Sequence, residues 1–519
     1  MLIIITERIL PNMRINQLKS GIILSYLSQA VAVLIGLLYT PVMLRLVGQN
    51  EYGLYQLSAS VVAYLGLLNF GMGSAYIRYY ARYKAVNNSE KIAKLNGMFM
   101  IVFCILGLVV VMAGIVLAQN VGLIFKRSLS PSELHTAKVL MLILVFNMAV
   151  SFPCSVFNSY VTANEQYIFQ RVLSILNSLC GPFLTLPLLI MGYKSVAMVS
   201  VSTVLSLAAF IVTMVFCRRK LGMKFCFKDF NFNLLKDIWI FSFFIFLNMI
   251  IDQANWTVDK FVLGIFRGAA AVAVYGVAGQ LNTYFIQFSV SISSVFVPRV
   301  NKLVAEADDN TELTKLFIKV GRAQFVIVAL IVTGLIFFGR QFITAWAGSG
   351  YENAYYITLL LVIPASVSLI QNLGIEIQRA KNMHKFRSVV YIIIAAINVA
   401  CSIPLTKFYG GIGAAWGTCG AMIIGNGLIM NVYYHKKIGL DIIRFWKEIG
   451  KFIPSLIIPI LCGTVIMKFI PMGKMIYVLL WAVIYTVIYC ISVYLLGLNK
   501  NEKNTIISPL KRIFIKNNS

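Results

Sequence analysis

The sequence predicts an all-α polytopic membrane protein of about fourteen transmembrane helices. Three observations lead there. Of the 519 residues, 59% are hydrophobic and only 12% charged, against about 25% charged in an ordinary soluble domain. The apolar residues fall into runs of about 20, the length a helix needs to cross a bilayer. The basic residues alternate in abundance between successive connectors. Together these exclude a soluble globular protein, and no hydrophilic block is long enough to be an appended soluble enzyme.

The apolar runs place the first six helices near 21–43, 54–76, 96–118, 138–161, 169–191 and 196–217. The next six fall near 237–257, 272–297, 317–339, 354–378, 387–406 and 411–434, and two more near 451–470 and 475–498. With the N-terminus inside, the termini and even-numbered connectors hold 34 of the 45 Lys and Arg residues and the odd-numbered connectors hold 11. Cytoplasmic loops retain basic residues during insertion, so both termini are expected in the cytoplasm. The net charge of +27 would suggest a nucleic-acid partner in a soluble chain. Here it reports insertion topology and contact with anionic membrane lipids, and no nucleic acid is expected. Residues 2–5 are too short an apolar run for a cleavable signal, so the first helix is expected to direct insertion.

The two halves share anchors at nearly constant offset. Gly48 and Tyr55 after helix one match Gly268 and Tyr275 after helix seven. Asn88-Ser-Glu before helix three matches Asn310-Thr-Glu before helix nine, and Ala163 and Phe169 before helix five match Ala380 and Phe386 before helix eleven. This predicts an N-lobe of residues 1–225 (helices one to six) and a C-lobe of 226–440 (helices seven to twelve). Residues 441–519, helices thirteen and fourteen with a cytoplasmic tail, stand outside the duplication. An even number of helices per repeat relates the lobes by a pseudo-two-fold axis along the membrane normal, with a substrate cavity expected between them.

Polar residues inside apolar helices are costly and point to function or to specific pairing. In helix seven, Asn248, Asp252, Asn255 and Asp259 are spaced by 4, 3 and 4, which keeps them within roughly 60° on a continuous helix. Lys260 adjoins them at the expected outer end. Helix eight carries Gln280, Tyr284, Gln287, Ser291 and Ser294, and helix four carries Asn147, Ser151, Ser155 and Asn158. Such stripes also arise from hydrogen bonds between helices, but three in one chain suggest a water-filled cavity. Asp252 and Asp259 are candidates for ion coupling. Arg78, Arg379 and Lys260 are candidate cations for an anionic substrate, since a guanidinium matches phosphate with paired donors, although Arg78 and Arg379 equally serve as topology signals. Arg45 and Arg267 read as anchors of helix ends. Gly413 and Gly417 form a small-xxx-small pair suited to close helix packing. The nine cysteines show no CxxC or metal-ligand spacing. His135, His384 and His435 are isolated, so no metal, cofactor or catalytic triad is expected.

The chain resembles the oligosaccharide-lipid flippases of the MOP exporter superfamily, the polysaccharide biosynthesis proteins that translocate O-antigen and capsule repeat units. The resemblance covers most of the chain. It rests on Asn16-Gln-Leu-Lys-Ser-Gly-Ile through Tyr39-Thr-Pro, on Leu46-Val-Gly-Gln-Asn-Glu-Tyr-Gly-Leu-Tyr55, and on Val258-Asp-Lys-Phe-Val-Leu-Gly264 with Val274-Tyr-Gly-Val-Ala278. It implies a transporter of the bacterial inner membrane, not an enzyme. That transporter would carry a polyprenyl-pyrophosphate-linked oligosaccharide from the cytoplasmic to the outer leaflet by alternating access, alongside polysaccharide polymerase or assembly proteins. Within the superfamily, cation-coupled drug exporters carry an acid in helix one, and lipid II flippases carry charges on its cavity face. Residues 21–43 hold no acidic or basic residue, which disfavours both alternatives. A membrane-embedded glycosyltransferase or polymerase would need a large outer loop with catalytic residues, and the longest outer connector, 119–137, has Glu133 as its one acid.

Overall fold

The computed structural model describes residues 17–228, 232–306, 310–381, 383, 385–470, 473–500 and 502–504. Asn16, His384 and most of both termini lie outside the described residues, as do the side chains of Asp252 and Asn255. The described residues are helical from Gln17–Val47 to Met475–Ser492 and contain no strand. A chain of long apolar runs requires this, because in hydrocarbon each backbone amide must be satisfied within its own segment.

Twelve helical segments among the described residues are long and apolar enough to cross a membrane, thirteen if the bent pair Ile442–Gly450 and Ile453–Phe469 acts as one span. Two of the expected spans are merged in that count. Phe386–Ile438 has 53 residues, roughly 80 Å as a straight helix against a bilayer core of about 30 Å. It reverses at Gly410, where φ is 61° and ψ is −139°. Across the turn Asn398 donates to Thr418 at 3.4 Å and Tyr391 donates to Asn426, so the two arms run antiparallel. A Cβ on Gly413 would lie 2.0 Å from the Leu405 carbonyl oxygen, and one on Gly417 would lie 2.3 Å from Ser402 Oγ. The small-residue spacing serves close packing, as the sequence anticipates.

Val258–Ser294 folds back in the same way at Gly268, with φ of 77° and ψ of −174°. The sequence ends helix seven near residue 257 and puts Asp259 at its outer end. The structure differs. Phe232–Trp256 stops, Thr257 leaves helical geometry at φ −121°, and a further helical piece then carries the chain to Gly268. Asp259 therefore sits on the far side of a helix break from Asn248, and the stripe read on one continuous helix is interrupted. Arg267 fulfils its expected anchoring role by donating to the carbonyls of Lys407 and Phe408 at 2.8 and 2.9 Å.

Expected helix two is also discontinuous. Gln49–Ala63 passes into a 3-10 turn at Tyr64–Asn69, then Phe70 and Gly71 adopt left-handed φ values of 50° and 67° before Met72–Ala85 resumes. The Phe70 ring lies 4.7 Å from Trp239 and 4.6 Å from Phe246. Gly71 is required twice over, by its positive φ and because a Cβ there would lie 2.2 Å from Ile245 Cγ2. Gly71→Ala is thus expected to cost about 2–4 kcal/mol, from left-handed strain plus overpacking, and to lower the thermal unfolding midpoint in detergent. Gly122→Ala, with nothing within 4 Å of its Cβ, should leave that midpoint unchanged.

The chain packs as two units, Met1–Gln253 and Ala254–Ser519. In the first, Tyr76 Oη donates to Asn96 Oδ1 at 2.5 Å, and Asn96 donates to the Lys224 carbonyl at 2.8 Å, beneath Phe99 and Phe103. The Pro131–Ala163 helix begins with a capping box between Ser130 and Glu133, which satisfies otherwise orphaned amides. In the second unit, Phe317, Leu373 and Phe445 centre an apolar core. The last helices pack onto Asn310–Ala347: Tyr485 meets Phe337 and Phe338 at 5.9 and 5.5 Å, and Tyr489 Oη donates to the Val326 carbonyl at 2.7 Å.

Candidate functional site

Each unit holds a concentration of polar groups on its long helices. In the first unit a groove of about 620 Å³ opens among Pro131–Ala163, Tyr167–Ile190 and Lys194–Arg219. Its wall includes the whole stripe read on helix four: Asn147, Ser151, Ser155 and Asn158. The opposite wall comes from a stripe that the sequence reading overlooked, Gln170, Ser174, Asn177 and Ser178 on Tyr167–Ile190, together with Arg171. The spacing 4 and 3 from Gln170 to Asn177 is the same signal that identified helices four and eight. It is legible when the same spacing count is applied to residues 169–191.

Four serine hydroxyl protons in this groove are committed to their own helices. Ser151 donates to the Met148 carbonyl at 2.6 Å, Ser155 to Ser151 at 2.9 Å, Ser178 to Ser174 at 3.0 Å and Ser206 to Ser202 at 2.8 Å. Their oxygens remain available as acceptors. Gln170 is held by Thr162 Oγ1 at 2.7 Å. The lining contains no carboxylate, and Arg171 is its one cation.

In the second unit Asp259 is 3% exposed. Its Oδ2 accepts from Tyr275 Oη at 2.5 Å and from Thr418 Oγ1 at 2.7 Å. Ser402 lies against the same carboxylate and donates to Asn398 Oδ1 at 3.0 Å, while Asn398 reaches Thr418 at 3.4 Å. Two glycine turns build this cluster. Gly268 returns Tyr275 to Asp259, and the hairpin at Gly410 brings Asn398 and Ser402 opposite Thr418. Asp259 was legible from sequence as an intramembrane acid; its partners were not, because they lie 16 to 159 residues away and are ordinary hydroxyls.

Several other residues singled out from sequence pair within their own helices. Gln280 donates to Tyr284 Oη at 2.7 Å, one turn along its own helix, and Ser291 donates to the Gln287 carbonyl at 2.8 Å. Asn248 is exposed on Phe232–Trp256. Arg78 is exposed and stacks over the Phe241 ring at 4.8 Å. Arg379 pairs with Glu376 one turn away at 2.9 Å, so its charge is answered on its own helix. Lys260 is half-buried beside Asp259 in sequence. Asp252 and Asn255 belong to Phe232–Trp256, and their side chains lie outside what is described.

Comparison with known proteins places these features in a family. A protein named as an O-antigen transporter in Shigella flexneri is 18% identical over 395 residues, 74% of this chain and 90% of its own length. One of the same name in Shigella dysenteriae is 24% identical over 203 residues, 38% of this chain; the match spans about half of that relative, 48%. Among solved structures, the lipid II flippase MurJ in an inward closed conformation superposes with a TM-score of 0.71 at 16% identity, covering 91% of this chain and 97% of that one. An inward-facing MATE multidrug transporter of the MOP superfamily gives 0.61 at 13% identity, covering 81% and 96%. At these identities the two structures show the fold alone: the chain has the multi-helix fold shared by MurJ and the MATE transporters. The profile of polysaccharide biosynthesis proteins matches residues 18–304, more than half of the sequence, and the chain belongs to that family.

Proposed function

We propose that this protein is a flippase that carries a polyprenyl-pyrophosphate-linked oligosaccharide from the cytoplasmic to the outer leaflet by alternating access, for surface polysaccharide synthesis. Its membrane is the bacterial inner membrane, with both termini cytoplasmic. The observation that carries the reading is Asp259, a carboxylate buried in the helical piece between Thr257 and Gly268 and held by two hydroxyl donors. Burying a charge in a membrane helix is expensive, and such groups mark ion pathways or substrate sites by default. Asp259 is the coupling group, with Asp252 the second candidate on the preceding helix. Either a proton or sodium ion can neutralise it and so change the cost of moving the segment that bears it. The glycan part of the reading is supported by family membership and by the names of the Shigella relatives. Asn248, Asn255, Lys260, Gln280, Tyr284, Gln287, Arg78 and Arg379 complete the proposed substrate contacts. Transport needs no covalent step and no cofactor.

The test is reconstitution. Purified protein in proteoliposomes loaded with a labelled polyprenyl-pyrophosphate oligosaccharide is expected to expose the glycan to a lectin on the opposite leaflet. Lipid II and a cationic dye serve as competing substrates. Translocation of either competitor without translocation of the oligosaccharide would overturn the proposal.

A further inference from the structure

We infer that the groove of the first unit is a binding subsite for the sugar-phosphate end of the substrate, with neutral side chains reading hydroxyl groups and Arg171 holding phosphate. This deepens the flippase reading and rests on it. Asn147, Asn177 and Ser206 lie near the middle of three different membrane-length helices, yet all face one space of about 620 Å³. That volume falls within the about 300–1,000 Å³ of small-ligand sites. Polar groups at this depth cannot face lipid without penalty, so the groove holds water or a hydrophilic ligand.

The lining chemistry selects the ligand. Asn147, Asn177 and Arg171 have no side-chain partner among the described residues, so three sets of donors are available. The serine hydroxyls, committed as donors to their own helices, offer acceptor oxygens in the same space. A metal or drug cation would be repelled by Arg171, with no carboxylate in the lining to offset it. Mixed neutral donors and acceptors suit a polyol, and a guanidinium suits phosphate. Arg171 lies in the first turns of Tyr167–Ile190, whereas Asn177 sits deeper along the same helix. A bound head group would therefore have its phosphate toward that end and its sugar toward the middle of the helices.

Cys154 also lines the groove and supplies a readout independent of transport. In a variant retaining Cys154 as its one cysteine, a membrane-impermeant maleimide is expected to label it from water. Geranyl-diphosphate-linked N-acetylglucosamine should slow that labelling. Geranyl diphosphate alone should protect less, and free N-acetylglucosamine least. Arg171→Gln should weaken protection by the conjugate about tenfold, the scale of one charge-assisted hydrogen bond. Asn147→Leu with Asn177→Leu should remove the advantage of the conjugate over geranyl diphosphate. Thermal unfolding of each variant checks that it still folds. A Cys154 that never reacts with aqueous reagent, or one whose labelling the conjugate leaves unchanged, overturns the subsite. Translocation with unprotected Cys154 would sink the subsite and leave the flippase reading standing. Protection of Cys154 without translocation would do the reverse.

Discussion

Asp259→Asn is expected to leave the protein folded and to abolish the response of transport to an imposed proton or sodium gradient. The amide is nearly isosteric, and its oxygen can still accept from Tyr275 and Thr418, which now meet Oδ2 at 2.5 and 2.7 Å. What disappears is the negative charge that a cation would neutralise. One charge moved through 100 mV is worth about 2.3 kcal/mol, about fiftyfold in a distribution ratio. Loss of one coupled charge should therefore reduce gradient-driven accumulation by that order while exchange at equilibrium persists. Asp259→Leu makes the contrast: it strands the Tyr275 and Thr418 hydroxyls, each costing about 1–3 kcal/mol when buried and unpaired, and should lower thermal stability. If Asp259→Asn keeps full gradient dependence and Asp252→Asn loses it, the coupling group is Asp252. If both keep it, the negative pyrophosphate head group itself responds to membrane potential.

The membrane class and the family were legible because they rest on properties that do not depend on tertiary structure. Apolar runs must be helices in hydrocarbon, and the family resemblance was read from contiguous strings such as Leu46 to Tyr55. The breaks were not legible. Gly410 sits at the boundary between two expected helices and Gly268 inside an expected loop, so both were accommodated by chance. Phe70 and Gly71 interrupt a run whose hydropathy is continuous, and hydropathy carries no information about left-handed backbone. The stripe through Asn248 and Asp259 failed for the related reason that angular arithmetic assumes an unbroken helix, and Thr257 breaks it. The offset of 220 between halves pairs Gly48 with Gly268. Gly48 has φ of 83° and ψ of 159°, close to the Gly268 geometry. At the same offset Asp259 and Tyr275 correspond to Tyr39 and Tyr55, and Tyr39 is hydrogen-bonded with Thr185. Where the second unit holds a carboxylate among hydroxyls, the first holds a neutral phenol. An ion is therefore expected to act on one unit alone, and Tyr39→Phe should not change gradient dependence.

Arg322→Met is expected to destabilise the attachment of the C-terminal segment by about 3–5 kcal/mol, the cost of breaking a buried ion pair from one side. Arg322 is 4% exposed. Its Nε and Nη2 grip both oxygens of Glu502 at 2.7 and 2.8 Å, its Nη1 donates to the Glu448 carbonyl at 2.8 Å, and Nη2 reaches the Gly497 carbonyl at 3.1 Å. The guanidinium also lies 4.4 Å over the Phe452 ring. One side chain thus joins Asn310–Ala347 to the short helix Ile442–Gly450 and to the residues following the last span. Methionine fills much of the volume but leaves Glu502 without its fork. Burial alone would raise the Glu502 carboxyl. The hydrogen bonds from Arg322 and the Asn499 segment, with the charges of Arg322 and Lys319, outweigh burial and hold it below its ordinary value of 4.5. A depressed acid contributes stability that is full above its unfolded pKa and lost as pH falls through the folded one. The wild-type attachment should therefore be complete at neutral pH and loosen only in acid below 4.5. It can be followed as protease cleavage beyond Gly497. Arg322→Met should be cleaved already at neutral pH and show little further change on acidification. Glu502→Gln should lose the acid dependence while keeping part of the attachment through Gly497 and Glu448. Cleavage of Arg322→Met with the wild-type pH profile would show that the segment is held by the Tyr485 and Tyr489 packing alone.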